Sequence, residues 1–327
     1  MTTTAAPDRL EEIAPGIHRF DTHYTRPRHT SCTIVVDDGR AAIFDTGVAA
    51  NVDALVGAVG SLGVAVDAVD WVVASHAHLD HMAGLGHLLQ RLPSARVAAH
   101  PSAVPHLVDP SKLEKGARVV FGDAFVDREY GPIEPVAAER IVETPDDAML
   151  AVGARELRVV HTPGHAWHHQ GVWDAKTRTV LAGDAFGLAY PELVGADGPF
   201  VMLPTAPPQL APEQMHASID RIVALGPERV QPSHFALIED PTAVAERLHG
   251  LMEEWLALAL QADSVAALEE QLMQAGVAEL ERRGRGDEAE VMRQSYAMDI
   301  AVNVQGLWHW RRRREERAAA EKHGGSG

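Results

Sequence analysis

Four residues of metal-binding type lie within six consecutive positions of the chain. Residues 75–81 read Ser-His-Ala-His-Leu-Asp-His, so that His76 and His78 are two positions apart and Asp80 and His81 follow. On a tight turn the first two imidazoles can point at one cation, and the carboxylate and third imidazole can hold a second cation nearby. Imidazole and carboxylate are ligands that Zn²⁺, Fe²⁺ and Mn²⁺ accept. The spacing therefore predicts a metal site on this turn.

Three further residues of the same types each follow an apolar run that is typical of a strand. His165 ends a Thr-Pro-Gly-His segment, Asp184 ends an Ala-Gly-Asp segment, and His234 ends a Pro-Ser-His segment. Loops at strand ends are where a rigid sheet presents chemically active side chains. The chain therefore offers seven candidate ligands, which lie in segments that follow predicted strands.

The elements that position these residues alternate between strands and helices. Apolar runs bounded by turn signals predict strands at 32–36, 41–44, 71–74, 96–99, 157–160, 179–182 and 229–230. Periodic apolar positions predict helices at 52–62, at 82–89 and from Pro212 onward. Such alternation is typical of a layered α/β architecture.

The character of the sequence changes after Pro241. Two amphipathic stripes and a last helical stretch through Trp308 and Trp310 predict an all-helical extension over residues 243–323, after a catalytic domain over 1–242. The final Gly-Gly-Ser-Gly, residues 324–327, resembles an engineered linker and is excluded from fold reasoning. The apolar stripes must be buried either on the catalytic domain or across a homodimer.

Composition narrows the class of protein. The net charge of −17 argues against a nucleic-acid partner, and no apolar run has the length of a membrane span. The single cysteine, Cys32, and an N-terminus without a secretory signal favour a cytoplasmic protein. The one basic run, 311–314, is followed at once by two glutamates and is interpreted as a solvated face of a C-terminal helix.

At the seven candidate ligands the chain resembles the metallo-β-lactamase superfamily, whose pattern is His-x-His-x-Asp-His followed by His, Asp and His. The resemblance covers roughly residues 13–240, and all seven positions are filled. Residues 45–47, Asp-Thr-Gly after a strand, are also typical of that superfamily. The resemblance implies a four-layer αββα sandwich of the α/β class, with metals at one edge between two sheets.

The resemblance also implies a role for each ligand. It assigns one metal ion to His76, His78 and His165, the other to Asp80, His81 and His234, and the bridging position to Asp184. Two divalent cations are expected, with zinc favoured over manganese and iron. Held about 3.5–4 Å apart, they would share a hydroxide that attacks the substrate, and Asp80 would orient it or accept its proton.

Residue types also discriminate within the superfamily. True β-lactamases of this fold lack a bridging Asp, so Asp184 disfavours that group. Flavodiiron proteins usually carry Glu at the position of Asp80 and add a flavodoxin domain, which this sequence does not show. The tRNA-processing relatives need a basic arm, which this acidic sequence does not show either. The remaining resemblance is to the glyoxalase II-like branch, especially its small prokaryotic hydrolases with a helical tail. That branch reads Thr-Pro-Gly-His-Thr-x-Gly-His, whereas residues 162–169 read Thr-Pro-Gly-His-Ala-Trp-His-His. The bulky Trp167 and His168 disfavour a glutathione thioester.

Several polar and aromatic residues are candidates for contact with a small-molecule substrate. Tyr24, Arg26 and Arg28 belong to a polar loop ahead of the first buried strand, and the two arginines could grip an anion bidentately. Trp167 and Tyr190 neighbour ligand loops, and Tyr190 could polarise a substrate oxygen. A solvated loop is the alternative for the first group, and core packing is the alternative for the second.

Three residues are candidates for orienting the ligands by hydrogen bonds. Asp45 follows a strand, and His161 and His169 flank His165. An ordinary hydrogen-bonded histidine is the alternative for the last two.

Together these features predict a metal-dependent hydrolase of an ester-type bond. A phosphodiester is favoured as substrate, with a lactone, carboxylic ester or thioester as alternatives. The alternative from a different class is a persulfide dioxygenase-type oxidoreductase that uses one iron, and metal stoichiometry separates the two. A catalytically silent binding protein is a third and weaker interpretation.

Overall fold

A computed structural model describes residues 7–324 of the chain, which form two main β-sheets. The first sheet has seven strands in sequential order: β1 (Leu10–Ala14), β2 (Ile17–Asp21), β3 (Ser31–Asp37), β4 (Arg40–Phe44), β5 (Val69–Val73), β6 (Arg96–Ala99) and β7 (Ile141–Glu143). Strands β1 to β4 pair antiparallel. The β3–β4 hairpin turns at Asp38 and Gly39, which both have positive φ, as expected for an Asp-Gly turn.

Strands β4 to β7 pair parallel, and parallel neighbours need crossover connections. Six helices supply them: α1 (Val52–Ser61), α2 (Leu79–Met82), α3 (Leu85–Arg91), α4 (Val104–Val108), α5 (Ser111–Phe121) and α6 (Asp123–Glu129). The helix predicted at 82–89 is in fact divided between α2 and α3. The division lies at Gly84, where a Cβ atom would press on the Val48 carbonyl.

The second sheet has five strands in the order β14-β11-β10-β9-β8. They are β8 (Met149–Val152), β9 (Arg155–His161), β10 (Gln170–Asp174), β11 (Thr179–Gly183) and β14 (Arg229–Pro232). A separate hairpin, β12 (Leu188–Gly195) and β13 (Gly198–Met202), and helix α7 (Pro212–Ala224) connect β11 to its parallel neighbour β14.

Alternation of side chains along the strands builds four layers. In β4, Ala41 and Ile43 face a cluster shared with helices α1 and α3, whereas Ala42 and Phe44 face the second sheet. The second sheet repeats this arrangement, because its outer face packs on α7 and on the C-terminal helices. The order of layers is helix, sheet, sheet, helix, which is the predicted αββα sandwich.

Three helices form the predicted C-terminal extension: α8 (Pro241–Gln261), α9 (Val265–Arg282) and α10 (Ala289–Gly324). Asp240 and Ser264 cap the first two by accepting hydrogen bonds from the backbone of Ala243 and Ala267. Their apolar stripes share one hydrophobic cluster with the outer face of the second sheet. The division of the chain after residue 242 stays a prediction, and residues 325–327 of the predicted linker lie outside the described residues.

Within the described part of the chain, no helix is long and apolar enough to cross a membrane.

Candidate metal centre

The seven candidate ligands meet at one edge of the sandwich. Residues 76–81 follow β5 in the first sheet, whereas His165, Asp184 and His234 follow β9, β11 and β14 in the second sheet. Both sheets therefore contribute ligands from the carboxyl ends of their strands.

The first group of ligands consists of His76, His78 and His165. The distances are 2.9 Å from His76 Nε2 to His78 Nδ1, 2.9 Å from His165 Nε2 to His78 Nδ1, and 3.2 Å between the Nε2 atoms of His76 and His165. Burial, assisted by neighbouring imidazoles, lowers the pKa of His76 and His78 well below the usual value. These rings are therefore neutral at pH 7, which is the form that binds a cation.

The second group consists of Asp80, His81 and His234. The Asp80 Oδ2 atom lies 3.4 Å from His81 Nε2 and 3.3 Å from His234 Nε2. Burial would lower the pKa of His81, but three surrounding carboxylates, with Asp184 the strongest, raise this pKa well above its usual value. The carboxylates therefore favour a positive charge in this group, as a metal cation would provide.

Asp184 faces both groups. Its Oδ2 atom lies 3.5 Å from His165 Nε2, and its Oδ1 atom lies 3.4 Å from His81 Nε2 and 3.8 Å from His234 Nε2. The His81 Nε2 and Asp184 Oδ1 atoms are buried without a hydrogen-bond partner among the described residues. Buried polar atoms without partners are costly, and a cation between them would remove that cost. The donor set therefore fits divalent metal ions.

Asp45 fixes the orientation of one ligand. Its carboxylate lies 2.8 Å from His81 Nδ1 and accepts hydrogen bonds from the Ser75 backbone, the Ser75 hydroxyl and the Ser233 hydroxyl. This contact leaves His81 Nε2 to face the ligand group. Such a partner on the far nitrogen of a metal-binding histidine sets its tautomer and its ring orientation.

His169 supports the bridging carboxylate. Its Nε2 atom accepts a 3.0 Å hydrogen bond from the Asp184 backbone, and its Nδ1 atom lies 2.7 Å from the Thr162 hydroxyl. His161 does not have the orienting position proposed for it from the sequence. Its ring lies 2.9 Å from the Thr144 carbonyl and packs on His100, away from the ligands. His161 is the last residue of β9, and the Thr-Pro-Gly turn separates it from His165, so closeness in the chain gave it no hydrogen bond to a ligand.

A cavity of about 350 Å³ opens over the ligands. One wall is helix α5, with Leu113, Val120 and Phe121, and the other is helix α10, with Met298 and Val302. Tyr24 also lines the cavity, and its hydroxyl donates to the hydroxyl of Tyr130 at 2.8 Å. Among the described residues, Lys112 is the only lysine or arginine that lines it. The cavity is therefore largely apolar outside the ligand groups.

Four of the predicted substrate contacts do not line this cavity. Arg26 pairs with Glu192 at 3.0 Å and lies over the ring of Tyr190, and Arg28 is exposed on its loop. Trp167 is 56% exposed and lines a different cleft. Tyr190 is fully buried, with its hydroxyl donating to Asp299. Proximity to a ligand loop in sequence did not set the direction in which these side chains point.

The structure adds Asp299, which the sequence did not indicate, and brings His29 of the polar loop next to a ligand. Tyr190 donates to Asp299 Oδ1 at 3.0 Å, and its hydroxyl lies 3.3 Å from His234 Nδ1. His29 packs edge-on against His234 and lies 3.9 Å from Asp299. Helix α10 is thus connected to the ligand His234 through Asp299 and the Tyr190 hydroxyl. No sequence signal marks Asp299, which lies far along the chain in a helix with many polar residues.

Comparison with known proteins agrees with this geometry. The sequence is 28% identical over 193 residues to the metallo-beta-lactamase fold-containing protein ST1585 of Sulfurisphaera tokodaii, covering 58% of this chain and 69% of that protein. It is 26% identical over 199 residues to the acyl-coenzyme A thioesterase MBLAC2 of Gallus gallus, covering 57% of this chain and 62% of that protein.

Solved structures show the same fold. The crystal structure of ST1585 from Sulfolobus tokodaii has a TM-score of 0.61 and 22% identity, covering 89% of this chain and 98% of that one. The structure of TTHA1429 from Thermus thermophilus has a TM-score of 0.61 and 20% identity, covering 93% and 95%.

Residues 25–234, more than half of the chain and including all seven candidate ligands, match the family described as the metallo-beta-lactamase superfamily. Together with the αββα sandwich and the ligands at its edge, this match shows that the chain belongs to the metallo-beta-lactamase superfamily.

Proposed function

We propose that this protein is a dinuclear metal-dependent hydrolase that cleaves an ester-type bond in a small molecule. The observation that carries the proposal is the position of Asp184, whose two carboxylate oxygens face two separate groups of ligands. His76, His78 and His165 would hold one cation, and Asp80, His81 and His234 would hold the other. Zinc suits this nitrogen-rich set best, with manganese and iron as alternatives.

Two divalent cations held by these residues would supply Lewis acidity and lower the pKa of a water molecule toward neutrality. The protein supplies the remaining functions. His81 and His234 hold the pKa of Asp80 below its usual value in spite of burial, so that Asp80 is ionised and can serve as a ligand. Its Oδ2 atom faces the two histidines, which leaves Oδ1 to accept a hydrogen bond that orients the attacking water.

The cavity favours an acyl thioester or carboxylic ester over the phosphodiester that the sequence favoured. Arg26 and Arg28 lie outside the cavity, and Lys112 is the only lysine or arginine among its described lining residues. The walls of α5 and α10 instead offer apolar surface for an acyl chain. The similarity to a thioesterase of the same superfamily supports the thioester as the first candidate.

The second group of ligands argues against the oxidoreductase alternative. A persulfide dioxygenase-type enzyme uses one iron, whereas Asp80, His81 and His234 here form a complete further set around Asp184. Both ligand sets support hydrolysis.

A substrate panel tests this proposal. Zinc-, manganese- and iron-loaded protein would be assayed with coenzyme A thioesters of increasing acyl length, chromogenic carboxylic esters, a lactone and a chromogenic phosphodiester. We expect the highest kcat/KM on thioesters and loss of nearly all activity in Asp184→Ala. A phosphodiester turned over faster than every acyl substrate would refute the substrate class, and oxygen consumption with one iron per chain would refute hydrolysis.

A further inference from the structure

A second cleft, of about 640 Å³, lies beside the metal cavity. Two tryptophans, Trp167 and Trp310, and three arginines, Arg313, Arg314 and Arg317, line it. We refer to it as the tryptophan–arginine cleft. It is large enough for a small-molecule ligand, since such pockets usually measure about 300–1,000 Å³.

Its charge arises from one face of α10. Trp310, Arg313, Arg314 and Arg317 are spaced at i, i+3, i+4 and i+7, which places them on the same side of a helix. Arg314 and Arg317 form no ion pair with the described residues, although Glu213 and Glu321 also line the cleft. Arg314 lies over the Trp310 ring, 5.8 Å from its centroid. Guanidinium groups without an ion pair, gathered in a cleft of a chain with a net charge of −17, are available to an anionic ligand.

The neighbouring arginines show that this is not a uniform basic run. Arg311 pairs with Glu315 and donates to the carbonyls of Ala259 and Ala262 at the end of α8. Arg312 is exposed and does not line the cleft. The solvated face predicted from the sequence therefore describes Arg312 and the exposed Arg314, whereas Arg311 connects two helices.

Arg313 provides a further indication of a ligand. Its Nη2 atom donates to the Leu210 carbonyl at 2.6 Å, while its Nε atom is buried with no hydrogen-bond partner among the described residues. A buried donor without a partner carries a free-energy cost, and an anion in the cleft would offset part of it.

The cleft and the metal cavity are separated by only two loop segments. His165, His168 and Gln209 line the metal cavity, whereas Trp167 and Leu210 line the cleft. The Trp167 backbone donates to the Gln209 side chain at 2.9 Å and ties the two segments together. A ligand in the cleft would lie next to the loop that carries His165.

We propose that the tryptophan–arginine cleft binds a nucleotide, meaning a planar heteroaromatic ring that carries phosphate groups. Tryptophan faces suit stacking with such a ring. Arginine forks suit phosphate oxygens, to which they form charge-assisted hydrogen bonds. The inference rests on the proposed function in one respect. It takes the nucleotide to be one end of a thioester substrate: the nucleotide belongs to the thiol leaving group, and the acyl group lies over the metal ligands.

Direct binding is the first test. Titration calorimetry of full-length, zinc-loaded protein with adenosine 3′,5′-bisphosphate should give a Kd that the double variant Arg314→Ala/Arg317→Ala weakens about tenfold or more. The matched control is Arg312→Ala, which removes an adjacent arginine outside the cleft and should leave the Kd within about twofold. Equal affinity in all three proteins, or no binding, would overturn the proposal.

Kinetics distinguish the source of the nucleotide. On a coenzyme A thioester the double variant should raise KM about tenfold, whereas on the same acyl thioester of N-acetylcysteamine, which has no nucleotide, KM should stay unchanged. Arginine-dependent nucleotide binding without hydrolysis of either thioester or of any other substrate in the panel above would leave the cleft proposal standing for a free nucleotide and refute the proposed function. A change of oligomeric state in the double variant, without nucleotide binding in the unaltered protein, would identify the cleft as a contact between copies and overturn the proposal.

Discussion

At the scale of single residues, the metal centre depends on side chains that hold the ligands in place. Asp45 lies behind His81, His169 lies behind Asp184, and the Pro204 carbonyl lies 2.8 Å from His165 Nδ1. The contacts to His81 and His165 occupy the ring nitrogen opposite the ligand atom, whereas the contact to Asp184 holds its backbone N–H. Burial of these groups prevents water from competing for the same atoms.

Replacing Asp45 by alanine should weaken metal binding without removing a ligand. Loss of the His81 contact frees that ring to rotate and leaves the Ser75 and Ser233 hydroxyls without their acceptor. We expect metal affinity to fall about 10–100-fold, measured by competition with a chromogenic chelator. The control is Asp53→Ala, which removes an exposed carboxylate on α1. Equal affinity in the two variants would contradict the orienting role of Asp45.

The sequence identified residues whose role depends on local spacing. The seven ligands and Asp45 lie directly after strands, so that a strand pattern and a short motif suffice to place them together. Arg26, Tyr190 and Asp299 depend instead on how α10 packs on the rest of the molecule. That packing joins residues more than a hundred positions apart, and no local pattern encodes it.

At the scale of elements, helix α10 supports the first group of ligands through a short segment. The Asn303 side chain donates to the Leu203 carbonyl and accepts from the Thr205 backbone, on either side of Pro204. Since the Pro204 carbonyl contacts His165, the helix and the ligand are connected through one rigid segment. Gly306 lets the helix approach closely, because a Cβ atom there would overlap the Thr205 carbonyl oxygen.

Substituting alanine for Gly306 should therefore push α10 away from this segment. We expect a loss of about 1–3 kcal/mol in the free energy of unfolding from overpacking. Metal affinity should fall with it because His165 loses its fixed position. Thermal unfolding and chelator competition measure the two effects.

The matched control is Gly250→Ala in α8, where an added Cβ meets no atom within 4 Å. That substitution should be neutral or stabilising by up to about 1 kcal/mol, as in an ordinary helix. A Gly306→Ala protein as stable as the control would show that the close approach is not needed.

Helix α5 offers a test of where the acyl chain lies. Gly116 lines the metal cavity, and an added Cβ there meets no atom within 4 Å. Gly116→Phe should fill part of the cavity, raising KM for long acyl chains about tenfold or more and leaving acetyl substrates unaffected. Gly60→Phe on α1, where a Cβ also meets nothing, is the control. Equal effects on short and long chains would place the acyl group elsewhere.

Strands β3 to β6, β9, β11 and β14 and the start of α7 follow from apolar runs and turn residues, so the sequence predicted them closely. Strands β1, β2, β7, β8 and β10, the β12–β13 hairpin and helices α4 to α6 were not predicted. Helix α5 buries no residue completely, and its strongly charged sequence resembles a solvated loop. The packing of these elements over the metal cavity is decided by tertiary contacts with residues such as Tyr130 and Phe121.

At the scale of the whole molecule, the metal centre joins the two sheets. The first sheet contributes residues 76–81, and the second contributes His165, Asp184 and His234. Cations held between them would cross-link the sandwich at its edge. Binding to the folded state alone stabilises it in proportion to the logarithm of metal concentration over Kd.

Removal of metal should therefore lower thermal stability. A metal present at about a thousand times its Kd adds roughly 4 kcal/mol, which corresponds to a shift in Tm on the order of 10 °C. Treatment with a chelator followed by dialysis should lower the Tm by about that amount, and added zinc should restore it. A Tm that does not respond to either treatment would mean that no metal bridges the sheets.

The central claim, a dinuclear centre bridged by Asp184, is tested most directly by counting metal ions. Elemental analysis of zinc-loaded, gel-filtered protein should give two zinc ions per chain, and Asp184→Ala should give at most one. One zinc ion or fewer in the fully loaded, unaltered protein would contradict the claim, as would two zinc ions retained by Asp184→Ala.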